Sequence, residues 1–144
     1  MVDLQLLYRK LNKLYFNNRL PKDSKVTFKW MNAKTWGGDC SFWIPQIRIS
    51  KPYHDAFPEE LEDTMLHEMI HLKYHKHDKK FYKEMERIQK EGGTVHRRLL
   101  HTLRDVAPKH IYKCASCSHE SRTFKTMQYW KMRCKCGGTL QKIF

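Results

Sequence analysis

Residues 64–81 read TMLHEMIHLKYHKHDKKF and hold four of the chain's nine histidines. His67-Glu68-x-x-His71 puts two imidazoles at i and i+4, which share one face of a helix one turn apart. Both can reach one zinc ion, and Glu68 falls beside a water on that ion, where it can take its proton. The flanking Met65, Leu66, Met69, Ile70 and Leu72 supply the apolar packing that a buried helix needs. A zinc site of this kind needs a third protein ligand. His75 continues the same row at i+8, but at 1.5 Å per residue it lies about 12 Å up the axis from His67. His77, after the helix ends and the chain turns back, fits better. The alternative is a solvated cluster of imidazoles that binds metal only adventitiously.

The surrounding sequence frames this helix. Pro58 followed by Glu59, Glu60 and Glu62 is a start signal, so the helix is expected over residues 59–74. Asp78 is a plausible N-cap for a second helix with Phe81, Met85 and Ile88 on one face, ended by Gly92-Gly93. The stretch HRRLLHTLRDV (96–106) reads as a further short helix, and a boundary follows near Pro108. Upstream, Leu4, Leu7, Leu11, Leu14 and Tyr15 have helical spacing, ending at Asn17-Asn18 before Pro21. Residues 25–30 (KVTFKW), 37–44 (GGDCSFWI) and 45–50 (PQIRIS) read as three short strands of an antiparallel sheet joined by tight turns. The fold class is α+β, with domains expected at 1–108 and 109–144.

Four of the five cysteines fall in the last 31 residues, as Cys114-x-x-Cys117 and Cys134-x-Cys136 followed by Gly137-Gly138. Two short loops each giving two thiolates to one tetrahedral zinc make a closed, structural ribbon, and the glycines let the backbone wrap the sulfurs. The C-x-C loop is tight, so His119 is an alternative to one thiolate. Such clustering points to a metal site in a reducing compartment rather than to disulfides. Cys40 stands apart and reads as a buried thiol. Between the knuckles, Arg122, Lys125, Lys131 and Arg133 interleave with Phe124, Tyr129 and Trp130. Cations that track a backbone and aromatics that stack on bases hold single-stranded nucleic acid without sequence readout. The competing account is that the aromatics cover the small core of the ribbon.

The formal net charge is +13. Residues 1–50 hold nine Lys/Arg against three Asp/Glu, residues 51–100 ten against ten, and residues 101–144 nine against two. The flanks carry the excess, which points to a polyanion partner, and the neutral middle holds the histidines. Chemistry and polyanion contact are therefore expected in different parts. MVDLQLLYRK has no signal-peptide core and no run approaches membrane-spanning length, so a cytoplasmic protein without a membrane partner is expected.

The residues together resemble the SprT-like family. LYRKLNKLYFNNRLP is similar to its opening helix, VTFKW, TWGG and IRIS to its β segments, LEDTMLHEMIH to its catalytic helix, His77-Asp-Lys-Lys-Phe81 to its third-ligand segment, and YKC…C with YWKMRCKCGGTLQKI to its ribbon. The link from His71 to His77 is short where some members carry a long insertion, and Asp78 stands where Gly or Ser is common. By the spacing H-E-x-x-H-x5-H the chain also fits the metzincin pattern, but Tyr74 occupies the position where those proteins turn on Gly.

The resemblance implies a zincin-like metalloprotease core with a small DNA-binding zinc ribbon. It makes His67, His71 and His77 ligands of a catalytic zinc, Glu68 the general base, and Cys114, Cys117, Cys134 and Cys136 ligands of a structural zinc. It implies a DNA-dependent peptidase, a monomer, acting on proteins bound or crosslinked to single-stranded or junction DNA, in the nucleoid or the nucleus. The rival reading is a non-proteolytic nucleic-acid-binding protein with both zincs structural.

Overall fold

The structure is a computed structural model that describes residues 2–106 and 108–144. The chain divides into two compact units, Met1–Leu100 and His101–Phe144. No helix among the described residues is long and apolar enough to cross a membrane.

The first helix, α1 (Leu4–Phe16), begins where the Asp3 carboxylate accepts from the Gln5 and Leu6 amides at 3.0 and 3.2 Å. It ends at Asn17 and Asn18, both at positive φ, a conformation Asn tolerates better than most residues. Its inward stripe is Leu4, Tyr8, Leu11, Asn12 and Phe16. This departs from the sequence reading, because Leu14 is 55% exposed and Tyr8 and Phe16 are buried instead. The stripe is rotated because Asn12 is held inside by a paired contact. Its side-chain amide donates to the Leu20 carbonyl and its oxygen accepts the Leu20 amide, each at 3.3 Å. That pairing mimics a strand bridge and satisfies a polar group that burial would otherwise penalise.

Three strands follow: β1 (Thr27–Met31), β2 (Gly38–Ser41) and β3 (Gln46–Ser50). The antiparallel sheet expected from the sequence is corrected here. The order is β1-β3-β2, with β1 parallel to β3 and β2 antiparallel to it. The tight turn from β2 to β3 dictates the antiparallel pair. Ile47 and Ile49 of β3 are fully buried, so β3 takes the centre and β1 must dock on its other edge. Register sets Phe28 opposite Ile47 and Trp30 opposite Ile49, so one face lines the core. Alternation along each strand carries the face but not the direction of the neighbour.

Ser50 then caps a helix absent from the sequence reading, α2 (Lys51–Ala56), by accepting from the Tyr53 amide at 3.2 Å. The available signal was a Ser cap followed within two residues by a Pro in the first turn. A 3-10 turn at Pro58–Glu60 leads into α3 (Leu61–Lys73), the His-Glu-x-x-His helix, close to its expected span. Met65, Leu66, Met69 and Ile70 of α3 are fully buried. The helix can approach β2 closely because that strand starts with Gly38. A Cβ there would sit 2.8 Å from the Arg48 carbonyl oxygen and 3.1 Å from Thr64 Cγ2.

A buried polar bridge ties α2 to α3. His54 Nδ1 donates to the Ser50 carbonyl at 2.7 Å, which leaves Nε2 to accept from the Thr64 hydroxyl at 2.8 Å. Burial holds this imidazole below its ordinary pKa. The folded chain therefore binds fewer protons here than the unfolded chain. The stabilising contribution is present above about pH 6.5, the unfolded value, and is lost as pH falls through the lower folded one. At about pH 7.5, His54→Ala is expected to cost about 2–4 kcal/mol, from the unpartnered groups and the cavity. Urea titrations should show that gap narrowing near pH 5, and a pH-independent gap would refute the assignment.

Helix α4 (Lys79–Lys90) starts at the expected cap, with Asp78 Oδ1 accepting from the Lys80 and Phe81 amides at 3.1 and 3.2 Å. The helix expected over 96–106 shrinks to α5 (Leu103–Val106). The first bond of that helix, from the Leu100 amide to the His96 carbonyl, is not made, because Glu60 of the turn before α3 takes the amide and His67 of α3 takes the carbonyl. Asp63 takes the His96 amide at 2.8 Å, and Glu60 takes the Leu100 amide at 3.2 Å.

The second unit holds a sheet ordered β5-β4-β6, all antiparallel: β4 (His110–Cys114), β5 (Glu120–Thr123) and β6 (Leu140–Lys142). Tyr112 is its buried centre, and its hydroxyl accepts the Met127 amide at 2.9 Å.

Candidate metal centre and cysteine cluster

Three imidazole nitrogens converge in the first unit. The Nε2 atoms of His67, His71 and His77 lie 3.1–3.2 Å from one another. Two are fixed in tautomer by backbone acceptors. His67 Nδ1 donates to the His96 carbonyl at 2.9 Å and His71 Nδ1 to the Tyr74 carbonyl at 3.1 Å. Their Nε2 atoms must then carry lone pairs. Lone pairs aimed at one point repel unless a cation lies between them. Ligand atoms about 2.0–2.1 Å from a tetrahedral zinc are about 3.3 Å apart, so the triad fits such an ion closely. Burial holds all three histidines below their ordinary pKa, His67 at about 4. They are therefore neutral near pH 7, as ligation requires.

His75 goes elsewhere. Its Nδ1 donates to the His71 carbonyl at 3.2 Å, and its ring stacks on Phe42 at 3.4 Å between centroids. The helix stops at Tyr74, whose φ of −126° and ψ of 105° are extended, and this change of direction brings His77 back to His67 and His71. Phe81, fully buried, is the floor. Its ring centroid lies 5.0, 4.7 and 4.8 Å from those of His67, His71 and His77.

Glu68 opens into the same cleft, of about 290 Å³, with Asp39 and Cys40 of β2 and with Phe42. Burial, with the charge of Asp39 second, pushes its carboxyl up to about 8. A divalent cation among the imidazoles acts in the opposite direction and returns it toward the range useful to a general base. Burial likewise pushes the Cys40 thiol up to about 12, which keeps it protonated and a poor ligand or nucleophile.

Sequence reasoning missed the layer behind the triad. Asp63, nearly buried, accepts both the amide of His96 at 2.8 Å and its ring Nδ1–H at 2.5 Å. The His96 carbonyl in turn orients His67. Asp63 stands four residues before His67, a spacing that could have signalled it, but it read only as one more acid in the first turn. Partners of this kind are worth about 10–100-fold in metal affinity. Asp63 acts one contact further out, through His96, so Asp63→Ala is expected to weaken metal binding at the triad by about tenfold, the low end of that range, in a chelator competition. Affinity within twofold of the unmodified protein would remove Asp63 from this role.

In the second unit the four sulfurs converge. Cys114 Sγ lies 3.5 Å from Cys136 Sγ, and Cys117 Sγ lies 3.6 Å from Cys134 Sγ. All four fall within 4.8 Å of one another, close to the roughly 3.8 Å edge of a tetrahedral zinc thiolate site. The Cys117 and Ser116 amides donate to Cys114 Sγ, and these bonds, the former foremost, lower its thiol to about 6. At Gly138 a Cβ would meet Cys114 Sγ at 2.6 Å, so only glycine permits the wrap. His119 stands outside the cluster and gives its carbonyl to the Cys114 amide at 2.9 Å.

Of the residues read as nucleic-acid contacts, Tyr129, Trp130 and Lys131 share one 3-10 turn. Tyr129 packs on the Tyr112 ring at 5.5 Å, as a core residue does, while Trp130 stands edge-on to it and is 61% exposed. Arg122, Lys125 and Arg133 are exposed, with Arg122 3.5 Å from Glu120.

Among solved structures, the metallopeptidase zymogen of Pyrococcus abyssi abylysin resembles this chain, with a TM-score of 0.48 and 20% identity over 60% of this chain and 79% of that one. No curated protein matches the sequence. The model of the SprT-like family matches residues 4–102, which include α1, the first sheet and the whole histidine triad, and the chain belongs to the SprT-like family.

Proposed function

We propose that the chain is a DNA-dependent zinc metalloendopeptidase that hydrolyses proteins bound or crosslinked to DNA. Family membership supports the metallopeptidase part. The observation that carries it is the convergence of three imidazoles, two of them fixed in tautomer, with Glu68 in one open cleft. A purely structural site would be closed by a fourth protein ligand and would have no use for a carboxylate in that place.

His67, His71 and His77 would hold the zinc, which would supply Lewis acidity and lower the pKa of the attacking water. Glu68 takes the proton of the attacking water and returns it to the leaving amine. β2 is an edge strand beside the cleft, so its free backbone groups can pair with an extended substrate segment. Backbone pairing of that type favours extended chains of many sequences. A second zinc on the four cysteines would hold the ribbon in shape and present Trp130, Lys131 and Arg133. The DNA part of the proposal is supported by the charge excess of residues 101–144 and by the exposed Trp130.

The test is incubation with a DNA-binding protein, with and without single-stranded DNA, with chelator and inactive-variant controls. Cleavage that needs DNA, zinc and Glu68 is expected. Cleavage that ignores DNA would leave a peptidase and remove the DNA dependence.

A further inference from the structure

Residues 51–100 hold ten Lys/Arg and ten Asp/Glu, so charge counting places no polyanion contact there. The fold separates the two signs. Glu60, Asp63 and Glu68 are buried, and Asp78 caps α4. Asp55, Glu62, Glu84 and Glu91 are in ion pairs with Lys51, Lys10 and Arg87. Among the described residues that leaves Glu59 and Glu86. By contrast Lys76, Lys79, Lys80, Lys83 and Lys90 are exposed and have no carboxylate partner among the described residues.

These lysines are not scattered. On α4, Lys79, Lys83 and Lys90 fall on the face opposite the buried Phe81 and Ile88, with Lys80 at its side. Lys76 precedes His77 in the chain, so the N-terminal end of the ridge is near the metal centre, while its lysines face away from Phe81 and the triad above it. From Lys79 to Lys90 the ridge is about 16 Å long, the axial rise of about five phosphates along one strand of a duplex and of fewer along an extended single strand. The exposed residues of α4 are Lys79, Lys80, Lys83, Glu86, Gln89 and Lys90. None is apolar or aromatic, so the face has no anchor for a protein partner and no ring to stack on a base.

We infer that the exposed face of α4 is a nucleic-acid backbone contact on the peptidase unit itself, with one end next in the chain to the third histidine of the metal centre. This deepens the DNA part of the proposed function and rests on it. Contacts from lysines to phosphates position a strand without reading sequence. The strand would then be held on the same unit that cuts a protein attached to it.

The experiment is fluorescence-anisotropy titration of labelled single-stranded DNA with the full chain, at several salt concentrations. Lys79→Gln/Lys83→Gln/Lys90→Gln is expected to bind about tenfold or more weakly near 0.1 M salt, with a log–log salt slope shallower by about 2–3 units. Glu86→Gln, which removes the one carboxylate from the ridge, is expected to bind about two- to threefold more tightly. Metal content measured on each variant checks that the triad stays folded. Unmodified binding that neither change alters overturns this inference alone. An unmodified chain that binds no DNA overturns it together with the DNA dependence proposed above. Slower cleavage of an acidic protein in the presence of DNA, with DNA binding unchanged, would assign the ridge to substrate protein and also overturn it.

Discussion

Glu68→Gln is expected to abolish proteolysis while leaving zinc bound and DNA binding intact. The amide has the shape of the carboxylate and removes a negative charge from a buried position, so the fold should tolerate it. Glu68 is 6% exposed, and burial already disfavours its charged form. The amide cannot take the proton from the attacking water. General-base assistance is worth about 10²–10⁴-fold, and the variant should lose at least that much in kcat. Metal analysis and DNA titration on the same sample separate loss of chemistry from loss of the site. Cleavage within tenfold of the unmodified rate would exclude Glu68 as the base.

The second large effect separates two neighbouring histidines. His77→Ala is expected to lose the triad's metal and all activity, whereas His75→Ala should keep the metal at full stoichiometry. Removing His77 deletes one of three donors whose Nε2 atoms lie 3.1–3.2 Å apart. The loss should exceed the roughly 10–100-fold carried by partners behind the ligands. His75 is turned away, with its ring on Phe42 and its Nδ1 on the His71 carbonyl. Its removal costs a stacking contact at the rim. Metal loss in the His75 variant with retention in the His77 variant would reverse the assignment.

Much of this site was readable because its geometry is local. The i, i+4 spacing of His67 and His71, and the axial rise that displaces His75, depend only on a helix being present. Asp78 was readable as a cap for the same reason, since capping involves the next three residues. The cysteine pairs were readable from spacing and glycines.

What stayed hidden involves partners far apart in the chain. Asp63 holds His96 across 33 residues, and beyond its four-residue spacing from His67 nothing local announces the pair. Glu60 on the Leu100 amide and His67 on the His96 carbonyl likewise leave only α5 of the helix expected over 96–106. The parallel pairing of β1 with β3 was hidden because a strand's alternation is identical whichever way its neighbour runs. Leu14 reads as core from spacing alone, but Asn12 takes the inside with its own partner and turns that face outward.

By itself, then, the sequence determined the α+β class, the metal-helix motif, the turn that brings in His77, and the cysteine cluster. Each follows from interactions within a few residues, where backbone geometry leaves little choice. Only the tertiary structure decided the strand order, the layer behind the triad, and the sorting of charge that exposes the α4 lysines. Burial and pairing depend on which distant segments meet, and a count of charges along the chain does not contain that information.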